Sequence, residues 1–217
     1  AGAATGVREA CERASERGVT VSMDLNYRGK LWNWEAGTAP RDLCEKTMRS
    51  ILPHVDVVIG NEEDAASVLN VHAGDTDVNS GRLAVDRYPE VAAEIARQFP
   101  RTRYVATTLR ESLSASHNRW GGMLYNARTG ASSFAPLADG QYAPYEITHI
   151  VDRVGGGDSF SAALIYGLIE GLSDADTVAF AAAASCLKHT MHGDFNLSTP
   201  SEIEALAAGN ASGRVQR

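Results

Sequence analysis

Paired cysteines, clustered histidines, basic charge and long apolar runs are all scarce in this chain. Its three cysteines, Cys11, Cys44 and Cys186, are odd in number and scattered, with no Cys-x-x-Cys pair. That pattern argues against a disulfide frame or a zinc site and suits reduced, structural thiols in a cytoplasmic protein. His54, His72, His117, His149 and His192 share no metal-ligand spacing. Twenty Lys and Arg stand against 27 Asp and Glu, a net charge of -7, which leaves no footprint for nucleic acid or an anionic membrane. The most apolar region, Ala162 to Leu187, is broken by Glu170, Asp174 and Asp176, so no stretch reads as a membrane span. The start, Ala1 to Gly18, reads as a charged helix and not as a signal peptide. No repeat, low-complexity tract or interdomain linker appears. A chain of 217 residues, 44% hydrophobic and 22% charged, is expected to form a single α/β domain over 1–217 with a full core.

What is present alternates. Val7 to Arg17 has the apolar spacing of an amphipathic helix closed by Gly18, and Val19 to Met23 that of a short strand. Pro40 to Leu52 predicts a helix, Val55 to Ile59 a strand, Val85 to Phe99 a helix and Arg103 to Leu109 a strand. The polar stretch 75–82 reads as a surface loop. Glycines between Ser112 and Ser133 suggest a β-meander. Helices are expected at about Gly156–Glu170, Asp174–His189 and Pro200–Ala208. Such alternation predicts a mostly parallel sheet with helices on both faces, and ligands gathered at the carboxyl ends of its strands.

The most informative stretch is Asp152-Arg-Val-Gly-Gly-Gly-Asp-Ser-Phe160, which runs into the apolar segment Ser161 to Ile169. Gly155, Gly156 and Gly157 let the backbone turn sharply and let a ligand approach. The helix start beyond them offers unpaired amides and a partial positive charge to an anion. Asp158 at its mouth can take a proton from a hydroxyl that attacks a phosphate, or it can serve simply as the helix N-cap. No Gly-Lys-Ser/Thr follows, which excludes a Walker-A loop, and Phe160 stands where a Rossmann fingerprint needs its third glycine.

This stretch resembles the C-terminal signature of the ribokinase-like, or PfkB, carbohydrate kinases: an acid, two or three residues, Gly-Ala-Gly-Asp and a following Phe. Gly156 stands where most members carry Ala. The resemblance implies that Asp158 is the base and that Gly155, Gly156 and Gly157 form the anion hole, with Gly157 against ATP. Asp24-Leu-Asn-Tyr-Arg28, followed by Leu31-Trp32, is similar to a loop of the 2-keto-3-deoxygluconate kinases. That likeness implies that Arg28 meets an acid sugar and that Asn26 and Arg28 lie near the nucleotide phosphates; by itself, Arg28 also reads as a surface arginine. Asn61-Glu-Glu-Asp64 resembles the family's Asn-x-x-Glu motif, implying nucleotide contact at Asn61 and a Mg²⁺ shell held by Asp64, directly or through water. Asn61 alone also reads as a helix cap. Thr108 and Arg110 occupy the place of a nucleotide loop, Thr-x-Gly, with Arg110 in the glycine position. Asp194 in Gly193-Asp-Phe195 is similar to a substrate-binding aspartate, whereas Lys188 and His189 read as helix-end cations.

The resemblance implies a three-layer α/β/α ribokinase-like fold with a mostly parallel sheet. It also implies that the family's N-terminal strands and β lid fall outside these residues, which correspond to the C-terminal two-thirds. The expected chemistry is transfer of the γ-phosphoryl of ATP, with Mg²⁺, to 2-keto-3-deoxygluconate. The expected partners are the sugar acid and ATP, and a homo-oligomer stays open. A fructokinase or other sugar kinase, and a non-catalytic nucleotide-binding fragment, remain alternatives; a nucleotide-binding oxidoreductase is more distant.

Overall fold

The computed structural model describes residues 1–61, 63–72, 85–114 and 116–209. Glu62 and the stretch 75–82 lie outside the described residues. The chain divides into two compact units, one holding the described residues of 1–107 with 125–132, the other those of 108–124 with 133–209.

In the first unit, α1 (Gly2–Glu16) leads to β1 (Ser22–Asp24), α2 (Pro40–Ile51), β2 (Val57–Asn61), α3 (Asp64–Leu69), α4 (Tyr88–Gln98) and the start of β3 (Tyr104–Ser114). Gly18, with φ of 70°, ends α1 as expected. Pro40 opens α2, where its missing N–H costs nothing, and the helix buries Leu43, Cys44, Met48 and Ile51. β1 and β2 pair in parallel, Ser22 beside Val57, Met23 beside Val58 and Asp24 beside Ile59. Val57, Val58 and Ile59 are each at most 3% exposed, as befits a strand covered on both faces. β1 begins later than the expected Val19. The reason lies at Val21, whose amide donates to the buried Asp56 carboxylate at 2.9 Å. Asp56 also faces Arg101 at 3.1 Å and Arg103 at 3.4 Å.

The second unit contains most of the meander: the rest of β3, β4 (His117–Asn126), β5 (Ala131–Ala135), β6 (Leu137–Ala138), β7 (Gln141–Tyr142) and β8 (Tyr145–Ile147). β8 runs antiparallel to β4, with Asn118 opposite Ile147, and β6 pairs with β7. The strand order is β1-β2-β3-β4-β5, with β8 on β4. The last three helices are α5 (Gly156–Glu170), α6 (Asp174–Lys188) and α7 (Pro200–Ala207), each within a residue of its expected bounds. α6 starts on a Ser173 cap, and α7 on a capping box between Thr199 and Glu202, both sequence-readable start signals. α6 is buried almost all round, from Thr177 and Val178 through Ala181–Ser185 to Lys188, the mark of a core helix. It meets α5 closely at Gly167, where a Cβ would lie 3.0 Å from Thr177 Cγ2. These elements make the expected three-layer α/β architecture, with seven α-helices among the described residues. No helix there is long and apolar enough to cross a membrane.

Candidate functional site

In the second unit, Gly155 is the N-cap of α5, with φ of 78°, and Gly156, Gly157 and Asp158 form its first turn. The cap position left open for Asp158 is therefore taken by Gly155, and no side chain caps this helix. Asp158 is exposed, and among the described residues its carboxylate has no hydrogen-bond partner. It stands on the positive end of a fifteen-residue helix with its lone pairs facing water. Each glycine has a different constraint. A Cβ on Gly155 would overlap the Asp194 carbonyl oxygen and stand 2.8 Å from its carbon. One on Gly156 would lie 2.9 Å from His189 Cε1, whereas Gly157 has open space. The departure from Ala at position 156 thus has a local cause: the His189 ring fills the room.

Asp152 ties this turn together. Its Oδ1 accepts from the Val154 amide and its Oδ2 from the Gly193 amide, both at 3.0 Å. The Val154 and Gly193 amides hold the Asp152 carboxyl below its usual range, with Lys188 adding to the effect. Asn196 fixes the far side of the 190–197 loop, donating to Ser159 Oγ at 2.6 Å and Ala184 O at 2.9 Å. Asp194 between these anchors is exposed, and among the described residues its carboxylate has no hydrogen bond.

Lys188 and His189 are not the solvent-facing helix-end cations expected. Lys188 is 0% exposed, with Nζ donating to Met191 O at 3.2 Å. His189 is 2% exposed and packs on Trp120 at a ring separation of 4.8 Å. Its Nδ1–H donates to Ser185 O at 2.7 Å, while the Ser185 hydroxyl donates to Gly156 O at 2.7 Å. Burial lowers the His189 pKa, opposed by its bond to Ser185 and reinforced by Lys188, Arg153 and Arg110. The ring is therefore neutral near pH 7, protonated on Nδ1. Three cations, Lys188, Arg153 and Arg110, act on this ring. Asp152, Arg153, Ser185, Lys188 and His189 were all missed as site residues. The signal for Asp152 was available, since it is the first acid of the signature.

Thr108 and Arg110 sit inside β3 and not in a loop after it, because the strand continues to Ser114. Thr108 is 7% exposed, so its side chain belongs to the packed strand; Arg110 is exposed.

In the first unit, the segment after β1 carries Asn26, with φ of 32°, and Arg28, which is exposed and whose guanidinium among the described residues makes no hydrogen bond or ion pair. Asn61 closes β2, and its Oδ1 accepts the Glu63 and Asp64 amides at 2.8 and 3.0 Å, which folds the turn that leads into α3, although the N-cap position itself is held by Glu63. Asp64 is 4% exposed; Oδ1 accepts from Tyr27 N at 3.0 Å and Oδ2 from Asn61 N at 2.8 Å. Both oxygens of the residue expected to serve Mg²⁺ are thus bonded to backbone amides. Among the described residues no group of three or more His, Cys, Asp or Glu could hold a metal ion.

Comparison with known proteins places these features in context. Residues 126–201 match the model of the pfkB family carbohydrate kinases. A 2-dehydro-3-deoxygalactonokinase of Haloferax volcanii is 33% identical over 94% of this chain and 52% of its own length. The crystal structure of a 2-dehydro-3-deoxygluconokinase from Thermotoga maritima is 42% identical, with a TM-score of 0.78, over 93% of this chain and 54% of that one. A putative ribokinase II from E. coli, solved with ATP and Mg²⁺, shares the fold at 17% identity and a TM-score of 0.63, over 94% of this chain and 53% of its own. The chain spans about half the length of each of these relatives.

Proposed function

We propose that this chain, whose residues 126–201 match the pfkB carbohydrate kinases and which is similar to two sugar-acid kinases over about half their length, is part of such a kinase, and that its protein phosphorylates a six-carbon keto-deoxy sugar acid, 2-keto-3-deoxygluconate, at its 6-hydroxyl. One observation carries this reading. Asp158 stands exposed and unbonded on the first turn of α5, beside a glycine turn that Asp152 and Asn196 hold rigid.

In the reaction, the sugar hydroxyl oxygen attacks the γ-phosphorus of ATP as the bond to the departing ADP oxygen breaks. Asp158 accepts the hydroxyl proton. The amides at Gly155 to Gly157, the helix dipole and the field of Arg110, Arg153 and Lys188 favour the negative phosphoryl group. Arg28 pairs with the substrate carboxylate and Asp194 with its hydroxyls. Asn26, Asn61 and Arg110 serve the nucleotide. Mg²⁺ supplies charge neutralisation to such a transfer, yet Asp64 does not fit as its protein ligand, since at 4% exposure its carboxylate is turned to two backbone amides and leaves no open face for a hydrated ion.

The two most similar relatives named above act on epimeric sugar acids, so the test is ADP release by the full chain with 2-keto-3-deoxygluconate, its galactonate epimer and fructose. Turnover with an acid sugar and little with fructose supports the reading. Equal turnover with fructose overturns the acid-sugar assignment, and no sugar-dependent ADP release overturns the kinase assignment.

A further inference from the structure

We infer that Asp64 is a positioning residue that clasps the Asn26–Arg28 segment to the end of β2, and not a magnesium ligand. The inference deepens the kinase reading, on which it rests only for what the two segments bind.

The geometry carries it. One carboxylate joins amides 34 residues apart in sequence: Tyr27 N on Oδ1 and Asn61 N on Oδ2. Asn61 returns the contact, its Oδ1 taking the Asp64 amide at 3.0 Å, so each side chain holds the other's backbone. Gly60 is what lets Asp64 sit this close. A Cβ there would stand 3.2 Å from Asp64 Cβ and 3.5 Å from Oδ2. The carboxylate also faces inward, since its charge raises the pKa of Cys44, a thiol with 0% exposure, after burial itself. A magnesium ion demands near-octahedral oxygen geometry and keeps several of its waters. At 4% exposure there is no open solvent face on Asp64 for those waters. The shorter side chain matters too. With the backbone where it is, a glutamate carboxylate would overshoot both amides by one methylene.

The consequence falls on Asn26 and Arg28. Tyr27 lies between them, so holding its amide fixes both flanking side chains relative to Asn61, whether or not metal is present.

The test uses the full chain and Asp64→Asn, with Asp64→Glu as the second variant. An asparagine offers one acceptor oxygen and turns an N–H₂ towards the other amide. Hydrogen exchange at Tyr27 or Asn61 should accelerate about ten- to a hundred-fold, the worth of a charge-assisted bond, equally with Mg²⁺ and with EDTA. Asp64→Glu should show the same acceleration. ADP affinity should fall by one factor in both media. Unchanged exchange at both amides overturns the clasp, as does an affinity loss confined to Mg²⁺ or rescued by Asp64→Glu. Exchange needs no catalysis, so the two readings separate. Protected amides in a protein that phosphorylates nothing would sink the kinase reading and leave the clasp standing.

Discussion

Replacing Gly155 with Ala tests the rigidity of the glycine turn. Gly155 has φ of 78°, which costs an L-residue roughly 1–2 kcal/mol. The added methyl would also overlap the Asp194 carbonyl oxygen, with the carbon at 2.8 Å and Cα at 3.1 Å. That obstacle is backbone and cannot rotate away. The 193–194 segment must move, straining the Gly193 amide bond to Asp152 at 3.0 Å, and such overpacking costs about 1–3 kcal/mol. The sum is a loss of about 2–5 kcal/mol. Gly157→Ala is the control. It meets nothing within 4 Å and has no positive φ, so it should stabilise the helix start by roughly 0.4–1 kcal/mol. Urea unfolding of the full chain reads both. A Gly155→Ala variant as stable as the parent, or less damaging than Gly157→Ala, would refute the packing argument.

Asp158→Asn should retain ATP affinity and lose roughly 10²–10⁴-fold in kcat, the usual worth of general acid–base catalysis; steady-state kinetics with near-normal kcat would reject Asp158 as the base. Arg28→Ala should lower kcat/KM for the sugar acid about ten- to a hundred-fold and barely affect a neutral sugar, and equal losses on both would remove its carboxylate role. His189 carries a pH signature, because burial holds its folded pKa below the ordinary imidazole value of about 6.5. Its neutral form is favoured by the fold, so this contribution is whole above about pH 6.5 and fades as the pH falls towards the folded value, by at most one proton's slope, about 1.4 kcal/mol per pH unit. Thermal melts between pH 5 and 8 should show this slope and lose it in His189→Gln.

The helices of the second unit were legible because their signals are local. Gly155 and Gly171 bracket α5 with left-handed caps, and Ser173 and Thr199 cap the next two helices. The meander was legible from glycine spacing only as far as Ser133, and the short strands β6 to β8 beyond it were not. Position 21 was not, because its partner, Asp56, is 35 residues away. The contact of Asp64 with Tyr27 was hidden for a similar reason: it spans 37 residues, so only the acid and its place in a motif were visible. Lys188 and His189 were misjudged as surface cations although α6 shows almost no polar face between Val178 and Leu187. A helix with no wet side delivers its last residues into the core as well.

The chain contains three lysines, Lys30, Lys46 and Lys188; the first two are exposed and the third has 0% exposure. An amine-reactive label should therefore mark Lys30 and Lys46 at once and reach Lys188 only when the end of α6 opens. The ratio of the slow rate to the fast ones measures the free energy of that opening. A single side chain thus acts as a built-in clock for the loop that packs against Gly155, readable by mass spectrometry without substrate or turnover.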